Sequence, residues 1–155
     1  MIIRTLGFYQ PYATLMFHGK LETRWVKKGK KAPFPLGTYL IYSTQKAYSK
    51  EEFEYLSGPF ANDAERKIKF DETYRLNGYA LGFMDLVEVR DMGLFDSATA
   101  FVEYKQDPEY RLVALFFTNQ KRLETPVPFK GKQGVGFLKD QHLITQYSLL
   151  NTALA

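Results

Sequence analysis

The sequence has 155 residues and a mass of 18.0 kDa, and with 45% hydrophobic and 25% charged residues it predicts one folded domain over 1–155. It contains no cysteine and only two histidines, which excludes a disulfide framework, a thiol nucleophile and a cysteine-ligated zinc site. No apolar run approaches the ~20 residues that span a bilayer, and the N-terminus lacks a signal-peptide core, so we expect a cytoplasmic protein without a membrane partner. We also expect a monomer without a metal or cofactor.

The N-terminal third predicts two strands around a short helix, followed by a loop and a third strand. Residues 2–8 and 21–26 have strand character, and Pro11 suits the first turn of a helix that runs to about Phe17. Gly19 is the expected stop for this helix, and we interpret His18 as its C-terminal cap. The glycine and prolines of residues 27–36 predict a loop, and residues 38–43 are rich in β-formers.

The middle of the chain predicts two helices, a tight turn and a long strand. Ser49 followed by Glu52 forms a capping-box pattern, which predicts a helix over about 50–56. A second helix is expected near 62–70. Asn77-Gly78 is a turn signal, and it precedes the longest strand candidate, residues 79–89.

The C-terminal third predicts a short helix over 96–104 that Asp96 caps, and a buried strand over 112–118 that continues through a bulge into 121–127. Residues 135–138 predict a short closing strand. A C-terminal helix over about 140–154 follows, with apolar residues at helical spacing. Five or six strands without regular βαβ spacing favour an α+β fold, a mixed sheet or small barrel with peripheral helices.

Positive charge is concentrated in two short segments. Six lysines and arginines lie within residues 20–31, and five lie within residues 121–139, each segment with a single acidic residue. Trp25 and Phe129 lie within these segments and could offer stacking faces to bases. If the fold brings the segments together, they suit a phosphate-bearing partner; otherwise they are solvated loops.

The densest pattern of polar chemistry follows the first predicted helix. In a strand, Lys20, Glu22 and Arg24 share one face, because side chains alternate with period two. Glu can accept a hydrogen bond from a base amino group, whereas Lys and Arg can contact carbonyl or phosphate oxygens. The alternative is a row of surface ion pairs with little energetic value.

The order of motifs resembles the ASCH domain family of the PUA-like superfamily. The family's Q-P-[WY]-A helix resembles residues 10–13, and its Gly-Lys turn and Glu-x-Arg strand resemble residues 19–25, with a shorter spacing here. Its central strand resembles residues 80–87, and its P-x-P-x-x-G-x-Q-G element resembles residues 126–134. The resemblance implies a small PUA-like β-barrel with a groove between the first helix and the barrel.

That groove suits RNA or a modified nucleoside, so the leading hypothesis is a binding module. The residues expected to bind the ligand are polar, aromatic or basic side chains of the two basic segments and the first helix: Gln10, Tyr12, Lys20, Glu22, Arg24, Trp25, Lys27, Lys28, Lys30, Lys130 and Lys132.

Two alternatives remain open. Some members of the superfamily resemble amidohydrolases that act on acetylated cytidine with Lys, Thr and Glu, which here suggests Lys20, Thr23 and Glu22, with Glu103 or Glu109 as other choices for the acid. That chemistry needs a turn between Lys20 and Thr23, since in a strand they point to opposite faces. The second alternative is a protein-interaction domain with a vestigial groove.

Overall fold

The computed structural model describes residues 1–46, 61–100 and 104–153. Six strands form one mixed sheet in the spatial order β2-β5-β4-β3-β1-β6. The strands in chain order are β1 (Arg4–Phe8), β2 (Glu22–Lys27), β3 (Gly37–Ser43), β4 (Tyr79–Asp91), β5 (Tyr110–Pro128) and β6 (Gly136–Phe137). Strands β1 and β3 pair in parallel, and the other neighbours pair antiparallel. The sheet curls into a half-barrel, which confirms the predicted α+β fold with a mixed sheet and peripheral helices.

Four α-helices lie around the sheet in the described part of the chain. They are α1 (Tyr12–Met16), α2 (Ala61–Ile68), α3 (Ser97–Ala100) and α4 (Gln141–Ala153). The predicted helices at 11–17, 62–70 and 140–154 are confirmed, and the one at 50–56 lies outside the described residues. No helix among the described residues combines the length and hydrophobicity needed to cross a membrane.

Helix α1 begins and ends where the sequence predicts. Pro11 occupies its N-cap, where its missing N–H costs nothing. Gly19 follows the helix with φ of +88°, in the left-handed region that favours glycine, and the Lys20 N–H returns to the Leu15 carbonyl at 3.1 Å. This turn sets the direction in which Lys20 and strand β2 leave the helix.

Helix α3 begins at Ser97, and residues 101–103 of the range predicted for it lie outside the described residues. A 3-10 turn over Leu94–Asp96 precedes it, and the Asp96 carboxylate accepts a hydrogen bond from the Gly93 N–H at 2.7 Å. The side chain of Asp96 therefore caps the 3-10 turn rather than the helix.

Strand β5 is a single 19-residue strand that bends at irregular points. The register between β4 and β5 shifts at three places, and Asn119 has φ of 58°. These shifts confirm the predicted bulge. They also let the strand twist strongly, which curls the sheet toward closure.

The core has two main parts, one on each side of the curled sheet. Inside the curve, residues of β1, α1, β2 and β3, among them Phe8, Met16 and Val26, pack together. On the other side, Leu143 and Tyr147 of α4 pack against β3 and β4, as the helical spacing predicts. The inner core places the start of β2 beside α1, where the charged residues lie.

Candidate functional site

The side chains of Lys20, Glu22 and Arg24 form a continuous row of ion pairs, which we call the charged row. The Lys20 ammonium donates to Glu22 Oε1 at 3.0 Å, and Arg24 Nε donates to Glu22 Oε2 at 2.8 Å. The side chains of Lys20 and Glu22 are only 2% and 9% exposed, whereas that of Arg24 is 28% exposed. The row is therefore a mostly buried feature that opens to solvent at Arg24, not a surface ion row.

Arg24 also links two strands that are not neighbours in the sheet. Its Nη2 donates to the Gly7 carbonyl of β1 at 3.0 Å, and its guanidinium lies 5.0 Å from the ring centroid of Phe8. Because β2 is one edge of the sheet and β1 lies near the other, this contact draws the half-barrel together. Within the described ranges, Nη1 of Arg24 makes no hydrogen bond, so one donor group remains for a ligand.

Glu22 is ionised at neutral pH. Burial raises the pKa of its carboxyl, but the Lys20 ammonium and the Arg24 guanidinium lower it by more, so the net pKa lies below the ordinary value. The Thr23 N–H adds a hydrogen bond to Oε1 at 3.1 Å. One carboxylate thus holds two cations, and the charged row keeps a net positive charge.

The contacts of Lys20 do not favour a lysine-activated threonine. Lys20 donates to Glu22 and to the Leu21 carbonyl, on the face of β2 that faces the core. Since β2 is regular from Glu22 onward, Thr23 points to the opposite face. The structure therefore does not supply the turn that this chemistry needs. Glu109 is exposed at the start of β5, and Glu103 lies outside the described residues.

Gln10 has a structural task that uses its amide. Its Nε2 donates to the carbonyls of Thr73 and Leu76 at 2.8 and 3.1 Å, and its Oε1 accepts from the N–H and hydroxyl of Thr14, both at 3.1 Å. All its hydrogen-bonding capacity is used within the protein, so Gln10 is unsuited to read a ligand. Tyr12 lies beside the charged row, with its ring centroid 5.3 Å from the Lys20 ammonium.

Trp25 does not share a pocket with Glu22 and Arg24, contrary to the sequence-based prediction. It follows Arg24 in a regular strand, so its indole lies on the outer face of β2, and it is 47% exposed. Strand alternation, and not the size of its apolar ring, decides on which face of β2 the indole lies.

The five predicted phosphate-binding lysines are all exposed. They are Lys27, Lys28, Lys30, Lys130 and Lys132. The loop that carries the last two is fixed by Tyr42. The Tyr42 hydroxyl donates to the Lys132 carbonyl at 2.9 Å, and the Tyr42 ring packs edge-on against Phe129 at 4.9 Å.

A second charged cluster, which sequence reasoning missed, consists of His18, Asp71 and Arg122. His18 Nε2 lies 2.7 Å from Asp71 Oδ2, and Arg122 donates to the same carboxylate while its guanidinium lies 5.2 Å from the ring centroid of Phe17. His18 therefore pairs with a carboxylate rather than capping the helix through its ring. No local pattern could signal this cluster, since its members are about fifty residues apart in sequence.

The second cluster lies at an open cleft of about 690 Å³, which includes Lys67 and Phe70. Two further clefts, of about 530 and 550 Å³, lie on either side of Arg111. None of these three is lined by the charged row. In the described part of the chain, no group of three or more histidine and carboxylate side chains is arranged to hold a metal ion.

No family model matches the sequence, and no curated protein matches it. Solved structures are similar to it. The ASCH protein of Zymomonas mobilis matches with a TM-score of 0.54 and 13% identity, covering 95% of this chain and 94% of that one. Two mutant forms of that protein match with TM-scores of 0.53 and 0.52 at 12% identity, again over 95% of this chain and over 97% and 95% of theirs. The chain thus has an ASCH-like fold, as the order of its motifs predicts.

Proposed function

We propose that this ASCH-like domain binds single-stranded RNA or a nucleoside-like ligand at the opening between α1 and the curled sheet, with Arg24 as the central contact. The observation that carries the proposal is the state of Arg24. Its guanidinium is fixed by Glu22 and by the Gly7 carbonyl, yet it is 28% exposed and keeps Nη1 for a further partner.

A fixed, partly exposed guanidinium is well suited to nucleotide chemistry. Its planar fork matches a phosphate, or the carbonyl and ring nitrogen of a base, and its position costs little entropy on binding because the protein already holds it. Glu22 lies buried beside it, and its ionised carboxylate holds the guanidinium in place. Holding the ligand-binding guanidinium of Arg24 in place is a reason for Glu22 to lie beside it at the opening, where both are partly shielded from bulk solvent.

The contacts of Tyr42 support the proposal because they connect Arg24 to the loop that carries Lys130 and Lys132. Gly7, whose carbonyl accepts from Arg24, packs so closely on the Tyr42 ring that a Cβ there would lie 2.7 Å from it. Tyr42 in turn holds the Lys132 carbonyl. Burial raises the pKa of the Tyr42 phenol, and the charge of Arg24 opposes that rise, as expected of a cation nearby. Lys130 and Lys132 thus lie on a loop tied to Arg24 through two residues.

The inner core also packs against the loop that follows β2. Ala32 and Phe34 of residues 28–36 pack on the core cluster that contains Phe8, against which Arg24 stacks. Val135, just after the second loop, packs on that cluster too. Both loops carry exposed lysines, which suit an extended polyanion better than a single small anion.

The test is a titration of a labelled single-stranded RNA, followed by fluorescence anisotropy over a series of salt concentrations. We expect binding at low salt, with an affinity that falls as salt rises, by about 0.7 log units per log unit of salt for each phosphate contacted. Arg24→Ala should weaken binding by about tenfold or more, since it removes a charged hydrogen bond. Arg24→Lys keeps the positive charge but loses the planar pair of donors, so its RNA affinity should lie between those of the natural chain and Arg24→Ala.

The matched control is Arg122→Lys together with Arg122→Ala. Arg122 also stacks on a phenylalanine and pairs with a carboxylate, but it lies in the second cluster. Its variants should change the RNA affinity by less than about twofold, and thermal unfolding shows that each variant is folded. An absence of RNA affinity at low salt, or equal losses for the Arg24 and Arg122 variants, contradicts the proposal.

A further inference from the structure

The only tryptophan of the chain lies outside the opening described above, and it is not isolated there. Trp25 pairs across the sheet with Leu112 of β5, and Lys27 pairs with Tyr110. Cross-strand partners point to the same side, and diagonal neighbours remain within reach of aromatic side chains. The rings of Trp25 and Tyr110, 47% and 42% exposed, therefore lie on one outer face of β2 and β5 together with Lys27.

A cleft of about 530 Å³ continues from this face. It begins at Leu112, the cross-strand partner of Trp25, and it is also lined by Tyr104 and Tyr110. Lys28 and Lys105 line it as well. Exposed aromatic rings and lysines thus lie together on one side of β2 and β5, on a surface that we call the outer aromatic face (Trp25, Lys27, Lys28, Lys105 and Tyr110).

The charges of this surface leave its lysines available. Lys27, Lys28 and Lys105 form no ion pair with any residue in the described ranges. The two aspartates of the cleft are engaged. Asp91 pairs with Arg111 at 2.5 Å, and Asp107 accepts from the N–H groups of residues 109 and 110 at 2.8 and 2.9 Å. Asp107 keeps its negative charge, because the N–H groups that it accepts from are neutral, and the exposed Glu109 adds a second, so three lysines lie beside two carboxylates that no cation neutralises among the described residues.

The loop after β2, which carries Lys28, is held against β5 by hydrogen bonds to its backbone. The Lys28 N–H donates to the Glu109 carbonyl at 2.9 Å, and Arg111 Nη2 donates to the Lys30 carbonyl at 2.9 Å. Anchored loops lose less conformational entropy when they bind. The backbone position of Lys28 relative to β5 is therefore set before a ligand arrives.

We propose that the outer aromatic face is a second contact surface for a single-stranded nucleic acid, on which a base stacks on the Trp25 indole while Lys27, Lys28 and Lys105 contact phosphates. The inference rests on the proposed function, and it adds a path by which the strand continues from the opening onto the outer wall. Stacking on an indole tolerates every base, so this surface would add affinity without sequence preference. Lysines that can contact phosphates, beside exposed rings that can stack on bases, favour a polynucleotide over a protein partner.

The single tryptophan makes the test direct, because all tryptophan emission of the protein comes from residue 25. Oligo(U) and oligo(A) are titrated into the full chain, and tryptophan emission and the anisotropy of a labelled oligonucleotide are recorded in parallel. We expect saturable quenching with the same apparent Kd as the anisotropy change. Trp25→Ala should raise the anisotropy Kd by about tenfold, and Trp25→Phe, which keeps a stacking ring, by less.

The controls come from the cleft of the second cluster. Phe70 is an exposed aromatic beside a lysine, with the Lys69 ammonium 5.2 Å from its ring centroid. Phe70→Ala and Lys69→Ala should leave the Kd unchanged, whereas Lys28→Ala should raise it and reduce the salt dependence.

The outcomes separate this inference from the proposed function. Anisotropy that reports Arg24-dependent binding without quenching overturns the outer aromatic face and leaves the opening intact. Quenching that survives Arg24→Ala, with little loss of affinity, supports the outer aromatic face and contradicts the opening. If neither signal appears at low salt, both proposals fail.

Discussion

Helix α1 is followed by two clusters of the same composition, a carboxylate between two basic side chains, and they differ in almost every other respect. The charged row joins Lys20, Glu22 and Arg24, which lie within five residues and are largely buried. The second cluster joins His18, Asp71 and Arg122, and its arginine is 42% exposed. A carboxylate between two basic side chains can therefore come from a local strand pattern or from distant segments of the chain, and only the local pattern can be recognised in a sequence.

Because the two clusters differ in burial, they should contribute differently to stability and to binding. Lys20 and Glu22 are almost fully buried, so each depends on the other, and Arg24 is the residue of the row that is exposed enough to contact a ligand. In the second cluster, water can replace a lost partner at His18 or Arg122. The buried cluster should therefore be the costlier one to break.

The largest expected effect is that of Glu22→Ala. It leaves the Lys20 ammonium buried without its carboxylate, so we expect the free energy of unfolding to fall by about 3–5 kcal/mol. Urea unfolding followed by circular dichroism measures this. The double variant Lys20→Met/Glu22→Ala should recover part of the loss, because it removes the orphaned charge. A loss below about 1 kcal/mol for Glu22→Ala would mean that the row is hydrated.

Asp71→Ala should lower the free energy of unfolding by less than Glu22→Ala does, by about 1–2 kcal/mol. The Asp71 carboxylate accepts from the hydroxyl and N–H of Thr73, at 2.6 and 3.2 Å, as well as from His18 and Arg122. Its partners are neutral or partly exposed, so water recovers part of the loss. The same urea experiment gives the value. A loss equal to that of Glu22→Ala would remove the contrast between the clusters.

The pH dependence of stability should show both carboxylates. Burial raises the pKa of each, but the cations beside Glu22, and the hydrogen bonds from Arg122, Thr73 and His18 to Asp71, lower both below their ordinary values. A carboxyl with a lower pKa in the folded state stabilises the fold fully above its unfolded pKa, and this contribution is lost as the pH falls through the folded pKa.

We therefore expect the free energy of unfolding of the natural chain to fall as the pH drops below about 5. Glu22→Gln should flatten this acid limb, and Asp71→Asn should flatten a further part. Denaturant unfolding at a series of pH values, with Glu109→Gln at an exposed site as the control, checks this. Parallel curves for Glu22→Gln and the natural chain would show that Glu22 has the same pKa in both states.

The smallest expected effect is that of Arg122→Lys on RNA affinity, described above as the control for Arg24. It sharpens the comparison, because the two arginines share a ring contact and a carboxylate but differ in their surroundings. An RNA affinity that depends equally on both would mean that charge alone, and not the position of the guanidinium, determines binding.

Much of the fold could be predicted from the sequence, because its signals are local. The Pro11 and Gly19 boundaries of α1, the turn at Gly78 and the periodicity of α4 each depend on a few adjacent residues. The shared face of the charged row follows from strand alternation. Its burial does not, since it depends on how β2 approaches β1 when the sheet curls.

The rest depended on contacts between distant segments. Gln10 is adjacent to Pro11 in a motif that suggested ligand binding, yet its amide fastens residues 73 and 76 to α1. Trp25 lies within a basic segment, but its neighbour across the sheet, Leu112, decides its surroundings. Arg122 and Asp71 meet only because β5 and the turn after α2 converge.

The most direct test of the central claim is a structure of the domain bound to a short single-stranded RNA. The account predicts a phosphate or base edge within hydrogen-bond distance of Arg24 Nη1, with the contacts of Arg24 to Glu22 and Gly7 retained. RNA bound elsewhere, with the Arg24 guanidinium left in solvent, would contradict it.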